Sequence, residues 1–148
     1  MYTDVLLATD GSDCARTATE HAVHLAAVTG ATLHALYVIE TRTEYDSAIV
    51  DPETVERTLR SEGEAILESV EAAADAADVE AVCRIQQGVP EREILTYADG
   101  HDVDLICLGS RGTSTFKTIL LGSTSEAVLR EASVPVVVQP ENSPTSGE

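Results

Sequence analysis

Glycines and hydroxyl residues in the last third of the chain have the spacing of a phosphate-binding site. Gly109 and Gly112 are followed, after nine intervening residues, by Gly122 and Ser123. Glycine lets the backbone approach a bound anion closely, and a serine hydroxyl adds a hydrogen-bond donor. The lysine that follows the last glycine of a Walker loop is missing, and the chain contains no G-x-G-x-x-G. The pattern therefore predicts a phosphate cradle of another kind, split into two parts.

The first part of the cradle follows a predicted strand, and the second part precedes a predicted helix. Residues 104–108 are a short apolar run typical of a buried parallel strand, so Gly109 follows the carboxyl end of that strand. Apolar residues at helical spacing predict a helix over residues 123–132, directly after Gly122. Free N–H groups and the positive end of the helix dipole favour an anion at such a helix start.

Strands and helices alternate along the chain, which predicts the α/β class. This alternation gives a parallel sheet with helices on both faces, joined by right-handed crossovers. We expect one domain over residues 1–140, followed by a tail, residues 141–148, whose Pro, Ser and Gly content is typical of disorder. The half-polar third strand is expected at a sheet edge. The predicted strands cover residues 2–9, 32–39, 81–87, 104–108 and 134–139.

Caps and apolar stripes predict the helices. Ser12 or Asp13 caps the first helix, which ends at Gly30. The second helix follows a polar connection, with Asp51 as its cap and Pro52 at its first position. The remaining assignments are a weak point at Gly63 in the second helix, an apolar stripe of Val55, Leu59, Ile66, Val70 and Ala77 along that helix, a short third helix from Pro90 to Gly100, and a fourth over residues 123–132.

The composition limits the partners and the compartment. Asp and Glu number 26 against 9 Lys and Arg, which gives a formal net charge of −17 at pH 7. This balance leaves no extended basic surface for nucleic acid and no basic amphipathic helix for a membrane. No signal peptide or bilayer-spanning run is recognisable, so we expect a cytoplasmic protein. The three cysteines, Cys14, Cys83 and Cys107, lack C-x-x-C spacing and indicate reduced thiols.

The distribution of charge carries two further expectations. Carboxylates at this density repel one another, and at 1 M salt a Debye length of about 3 Å screens that repulsion. We therefore interpret the acidity as adaptation to a salt-rich cytoplasm, as in a halophile, with an ordinary acidic protein as the alternative. Arg111 and the only lysine, Lys117, lie in the loop between the two glycine turns, where they provide positive potential for a phosphate. The alternative for Lys117 is a solvated loop position. Residues 113–118 of this loop are expected to be mobile without ligand.

Several ordered motifs resemble the universal stress protein family, in its ATP-binding type. The spacing G-x2-G-x9-G-[ST] that begins at Gly109 is similar to the ATP-binding signature of that family. Residues 5–12 resemble its first strand and turn, and the Gly-Val-Pro of residues 88–90 resembles its G-x-P before the third helix. Residues 108–112 and 134–138 resemble its last two strands. The resemblance covers nearly the whole chain and implies a single-domain, doubly wound, five-stranded parallel sheet of order 3-2-1-4-5.

The implied strand order also implies a ligand site. Winding reverses between the first and fourth strands, and open α/β sheets bind ligands beyond the strand ends at such a point. The resemblance implies ATP as the ligand, with Mg²⁺ or Mn²⁺ bridging phosphate oxygens. It implies that Asp10 lies near the ribose hydroxyls and that the backbone around Val38 contacts the adenine. The implied binding residues are Thr9, Asp10, Val38, Leu108, Gly109, Arg111, Gly112, Gly122, Ser123, Thr124 and Ser125.

The resemblance suggests three functions. The leading interpretation is a non-enzymatic regulator of a stress response, whose nucleotide state signals to an unidentified protein partner. The alternative is a slow ATPase or autokinase with Ser110, Thr113, Ser114 or Thr115 as phosphate acceptor, although only the distant Asp10 offers a general base. The third is a homodimeric scaffold that binds no nucleotide, and the presence of the glycine signature counts against it.

The last predicted strand, residues 134–139, indicates a homodimer. It is apolar at nearly every position, and the implied strand order puts it at an edge of the sheet. An unpaired apolar edge invites aggregation, whereas pairing with the same strand of a second copy about a two-fold axis closes the assembly. The alternative is a monomer in which the fourth helix and the tail cover this edge.

Other polar clusters are weaker candidates. His21 and His24 lie three residues apart on the first helix, but no third ligand is fixed by the sequence, so we expect an ordinary pair and no metal site. Cys14 lies near a helix start that can activate a thiol, yet packing is the better interpretation. Asp102 and Asp104 precede the fourth strand, away from the crevice, and solvation is their expected role.

Overall fold

Five strands form one parallel sheet in the computed structural model of the chain, which describes residues 2–40, 52–110 and 121–140. The strands are β1 (Asp4–Ala8), β2 (Thr32–Glu40), β3 (Ala81–Gly88), β4 (Leu105–Gly109) and β5 (Val136–Gln139). They lie in the order β3-β2-β1-β4-β5, and every neighbouring pair is parallel. The predicted α/β class, the strand order and the edge position of the third strand are confirmed.

Four helices are described, and the first carries both of the caps that the sequence predicts. Ser12 accepts a hydrogen bond from the Ala15 N–H at 3.2 Å, and Gly30 ends the first helix in the left-handed conformation, with φ of 74°. The predicted cap Asp51, the loop of residues 113–118 and the tail of residues 141–148 lie outside the described residues. The helices are α1 (Asp13–Thr29), α2 (Pro52–Ala76), α3 (Pro90–Gly100) and α4 (Ser123–Glu131).

The sheet separates two apolar cores, because successive side chains of a strand point to opposite faces. Val5 and Leu7 of β1 face the core beneath α1 and α2, whereas Leu6 faces the core beneath α3 and α4. Cys107 of β4 is fully buried in the first core, and this burial raises the pKa of its thiol to about 12. Burial on both faces explains why the central strands are apolar at nearly every position. No helix of the described residues combines the length and apolar content that crossing a bilayer requires.

Gly63, which the sequence predicts as a weak point, lies inside α2 and is a close-contact position. A Cβ atom at Gly63 would clash with Cδ2 of Tyr37, a buried side chain of β2. The absence of a side chain therefore lets α2 approach the sheet at this point. Ala77, which the sequence places on the same stripe, lies beyond the end of α2 and is exposed, and Ala74 is buried instead.

We expect Gly63→Ala to destabilise the protein although alanine is the better helix former. The propensity gain is about 1 kcal/mol, whereas an overpacked contact with a buried ring costs about 1–3 kcal/mol. Gly100→Ala is the matched control, because a Cβ atom at this helical glycine meets nothing within 4 Å. Urea unfolding of the three proteins measures the difference. A Gly63→Ala midpoint at or above that of the original chain would contradict the contact.

Candidate functional site

The carboxyl ends of β1 and β4, two neighbouring strands inside the sheet, lie side by side. β1 pairs with β2 on one side and with β4 on the other, so the chain winds in opposite directions from these two central strands. This reversal opens a crevice beyond the strand ends. Asp10 lies shortly after β1, and Gly109 is the last residue of β4. The sheet therefore brings these two predicted site residues to one crevice although about a hundred positions separate them.

Gly109 allows the first turn of α1 to pack against the end of β4. A Cβ atom at Gly109 would lie 2.6 Å from Cβ of Cys14 and 3.1 Å from the backbone nitrogen of Ala15. Backbone atoms of a helix cannot move aside as a flexible side chain can, so residue 109 must be glycine for this approach. The positive N-terminal end of α1 consequently lies next to the crevice.

The turn after β1 is held by its own side chains. The Gly11 N–H donates to Oγ1 of Thr9 at 3.2 Å, and the Ser12 N–H donates to Oδ1 of Asp10 at 2.9 Å. Gly11 has φ of 80°, a left-handed conformation that favours glycine. Thr9 is buried and Asp10 is exposed. An ionised carboxylate accepts about four hydrogen bonds, so Asp10 retains acceptor capacity toward a ligand.

The two halves of the predicted cradle meet at Ser110. The Gly122 N–H donates to the Ser110 carbonyl at 2.7 Å, and the Ser110 N–H donates to the carbonyl of Gln139 at 2.7 Å. The hydroxyl of Ser125 donates to the carbonyl of Gly109 at 2.5 Å. Ser110 and Ser125 are 5% and 3% exposed. The end of β4 is thus bonded both to the start of α4 and to the end of β5.

The start of α4 presents hydrogen-bond donors to the crevice. The Gly122 carbonyl accepts the N–H of Glu126 at 3.0 Å, which is the first helical hydrogen bond. The preceding N–H groups, those of Ser123, Thr124 and Ser125, have no acceptor within the helix. The Ser125 hydroxyl donates to the Gly109 carbonyl, so this side chain fixes the first turn of α4 against the end of β4.

The remaining predicted site residues fall into two groups. Val38 is half-buried and Leu108 is buried, and both belong to the core beneath α3 and α4, near the crevice ends of their strands. Arg111, Gly112 and Lys117 lie outside the described residues. The structure therefore places nine of the eleven predicted binding residues, and two, Arg111 and Gly112, are not placed.

The cysteines and the paired histidines are not part of a metal-binding cluster among the residues that the structure describes. Cys14 is buried with Sγ 3.8 Å from Oγ of Ser110, which agrees with a packing role. Cys83 is half-buried on β3, and desolvation raises the pKa of its thiol. All three cysteines are free. His21 and His24 are exposed on α1, and residues 2–40, 52–110 and 121–140 contain no group of three or more His, Cys, Asp and Glu side chains arranged for a metal ion.

Asp104 holds the opposite end of the sheet, so its expected role in solvation is wrong. Its Oδ2 accepts the N–H of Thr3 at 2.8 Å, the N–H of Asp4 at 3.0 Å and the hydroxyl of Thr3 at 3.0 Å. These three donors lower the pKa of the carboxyl group from its ordinary value of 3.8. Asp104 therefore ties the start of β4 to the start of β1.

A buried polar network that sequence reasoning missed joins β1, β2 and α3. Nε2 of His34 lies 2.8 Å from Oδ1 of Asp4, and its Nδ1 lies 2.7 Å from the hydroxyl of Tyr97. The ring of His101 stacks on that of Tyr97 with centroids 3.8 Å apart. Asp4 is the first residue of β1 and His34 the third of β2, so the network lies at the end away from the crevice. The one available signal was an imidazole at an inward position of an apolar strand.

The fold and the crevice together define a class of protein. A doubly wound parallel sheet of order 3-2-1-4-5, with a glycine-bounded crevice beside two helix N-termini, is a Rossmann-like α/β protein. A family model described as "Universal stress protein family" matches residues 1–140, and the chain belongs to this family.

Individual relatives agree with this assignment. The chain is 32% identical over 139 residues to Universal stress protein MJ0531 of Methanocaldococcus jannaschii, which covers 93% of this chain and 82% of that protein. The solved structure of hypothetical protein MJ0577 from the same organism superimposes with a TM-score of 0.85 at 30% identity, covering 97% of this chain and 99% of the other. A universal stress protein solved in complex with cAMP gives a TM-score of 0.69 at 28% identity, covering 93% and 95%.

We expect Asp104→Asn to lower the melting temperature at pH 7. The folded carboxyl group has the lower pKa, so its stabilisation is fully present above 3.8 and is lost as the pH falls through the folded pKa. The gap between the variant and the original chain should therefore narrow below pH 3.8. Asp102→Asn, which removes the same charge from an exposed neighbour, should not lower the melting temperature. Equal melting curves for the two variants would contradict the role of Asp104.

Proposed function

We propose that this protein binds ATP in the crevice and acts as a nucleotide-dependent regulator in a stress response. The observation that carries the proposal is the junction of the two glycine turns, where the Gly122 N–H bonds to the Ser110 carbonyl beside the N-terminus of α4. Backbone N–H groups with the positive end of a helix dipole form an anion site. The relative solved with cAMP holds an adenine nucleotide, which supports the same ligand class here.

Different residues of the crevice would contact the ribose, the adenine and the phosphates of ATP. Asp10 would accept hydrogen bonds from the ribose hydroxyls with its exposed carboxylate. The backbone at Val38 would contact the adenine, and Leu108 and Gly109 would line the nucleoside. The start of α4 would hold phosphates, completed by Arg111, Gly112 and Lys117. A bound Mg²⁺ or Mn²⁺ would bridge phosphate oxygens and neutralise part of their charge.

The burial of Ser110 and the hydrogen bond of Asp10 favour a regulatory role over catalysis. An autokinase needs an accessible acceptor hydroxyl, and Ser110 is 5% exposed. Oδ1 of Asp10 accepts the Ser12 N–H, so the carboxylate that could act as a general base also holds the turn. The other proposed acceptors, Thr113 to Thr115, lie outside the described residues. Binding and signalling therefore require less of this crevice than phosphoryl transfer does.

We expect Gly122→Val to remove ATP binding while the fold is retained. Gly122 has an extended backbone, with φ of −74° and ψ of 167°, which valine also adopts, so the side chain acts by blocking the phosphates. The dissociation constant for ATP should rise by roughly 100-fold, or about 2.8 kcal/mol. Calorimetric titration in molar KCl with Mg²⁺ measures it, with Gly100→Ala as the control. Unchanged affinity in Gly122→Val would overturn the site, whereas a lack of ATP binding in the original chain would favour the scaffold without nucleotide.

We propose that the protein forms a homodimer through β5. Val136, Val137 and Val138 are only half-buried at an open sheet edge, and Leu129 of α4 is 43% exposed. Pairing about a two-fold axis would bury this apolar edge in both copies.

Val137→Lys should convert the dimer to a soluble monomer, because the two introduced charges face one another across the axis. Val28→Lys is the matched control, since Val28 is 64% exposed on α1 and makes the same change in net charge. Light scattering at micromolar concentration distinguishes the species. A monomeric original chain under these conditions would refute the dimer.

We also propose that the net charge of −17 is an adaptation to a salt-rich cytoplasm. The melting temperature should rise between dilute buffer and molar KCl as repulsion among the carboxylates is screened and apolar burial is strengthened. In a domain of this size, about 1 kcal/mol of relieved repulsion corresponds to about 2–4 °C. Calorimetric melting across a KCl series measures the trend. A melting temperature that stays flat or falls would mean that the acidity has another cause.

A further inference from the structure

One peptide group links the crevice to the edge of the sheet. The Gly109 carbonyl and the Ser110 N–H belong to the same peptide bond, which is planar and rigid. Its oxygen accepts the hydroxyl of Ser125 at 2.5 Å, and its N–H donates to the carbonyl of Gln139 at 2.7 Å. Ser125 lies in the first turn of α4, and Gln139 is the last residue of β5. A rotation of this plane therefore changes both hydrogen bonds together.

The two ends of the link face different partners. The first turn of α4 carries the N–H groups of Ser123 and Thr124, which the proposed function assigns to phosphates. β5 pairs with β4 on one side, and on its other side it forms the edge of the sheet. Ser110 is buried at the centre of the link, with its carbonyl bonded to the Gly122 N–H and its hydroxyl oxygen 3.8 Å from Sγ of Cys14. The link is therefore packed on several sides.

We propose that nucleotide binding and self-association through β5 strengthen each other through the 109–110 peptide group. The inference rests on the proposed ATP site and the proposed dimer, and it adds their coupling. A phosphate bound to the N–H groups of α4 fixes the turn that contains Ser125 and so orients the peptide plane. The oriented plane in turn fixes the carbonyl of Gln139 at the end of β5. Each ligand would favour the arrangement in which both hydrogen bonds of this peptide group are made, so binding of one favours binding of the other.

A second copy of the chain is the occupant that fits the β5 edge. The valines 136–138 of this edge strand are half-buried, Val137 against one core and Val136 and Val138 against the other, and β5 itself carries no formal charge. The remainder of the chain is strongly acidic, so a partner that meets it elsewhere has repulsion to overcome. A two-fold pairing confines the contact to the apolar edge.

The coupling predicts a reciprocal effect in the original chain. ATP should tighten the dimer by roughly tenfold, within the range usual for coupled sites. Because each dimer contains two crevices, the same linkage makes each crevice bind ATP about threefold more tightly in the dimer than in the monomer. Analytical ultracentrifugation with and without ATP and Mg²⁺, in molar KCl, gives the first factor. Calorimetric titration of ATP into the original chain and into monomeric Val137→Lys gives the second. Val28→Lys controls for the added positive charge, which by itself would favour ATP.

Variants at Ser125 test the link itself. Ser125→Ala removes the hydrogen bond to the Gly109 carbonyl and should bring the coupling factor close to one, whereas Ser125→Thr keeps a hydroxyl and should restore it. Ser133→Ala, at an exposed serine after α4, should leave the factor unchanged.

The outcomes separate the inference from the proposals beneath it. Absence of ATP binding, or a monomer at every concentration, overturns the coupling together with the proposal concerned. ATP binding and dimerisation with a coupling factor of one in the original chain overturn the coupling alone. An unchanged factor in a folded Ser125→Ala variant overturns the assignment to the 109–110 peptide group.

Discussion

The close approach of α1 to the end of β4 is the constraint on which the crevice depends. With only hydrogen at the α-carbon of Gly109, the backbone of Cys14 and Ala15 comes to a distance that any side chain would forbid. The N-terminal end of α1 is thereby held against the end of β4 beside the crevice. Cys14 and Ser110 are both buried next to this contact. A larger residue at position 109 would separate α1 from β4 and so widen the crevice before any ligand contact was considered.

An anion site in a chain of net charge −17 requires a positive potential that does not depend on many basic side chains. Helix N-termini provide it, because their N–H groups and dipoles are part of the backbone and do not enter the formal charge. α1 and α4 both begin beside the crevice. A strongly acidic surface is therefore compatible with the phosphate site that we propose in the crevice, because the two depend on different groups.

Local patterns were enough to predict most of the fold. The caps at Ser12 and Gly30, the proline at the start of α3 and the apolar central strands each depend on residues close in sequence, and each is confirmed. The strand order came from the family resemblance, since periodicity alone does not order parallel strands. The partners of Gly63, Asp104 and Ser125 could not be predicted, because Tyr37, Thr3 and Gly109 lie far from them in sequence. Such contacts are fixed only when the sheet assembles.

The His34 network has a consequence for how that assembly is made unique. Apolar side chains on a strand are nearly interchangeable, so a parallel strand shifted along its neighbour still buries hydrocarbon. A shift of β2 by one residue would turn His34 to the other face of the sheet, away from Asp4 and Tyr97, and leave an imidazole without partners among apolar side chains. His34 thus specifies the register of β2, because only one register against β1 and α3 gives both of its ring nitrogens a hydrogen-bond partner.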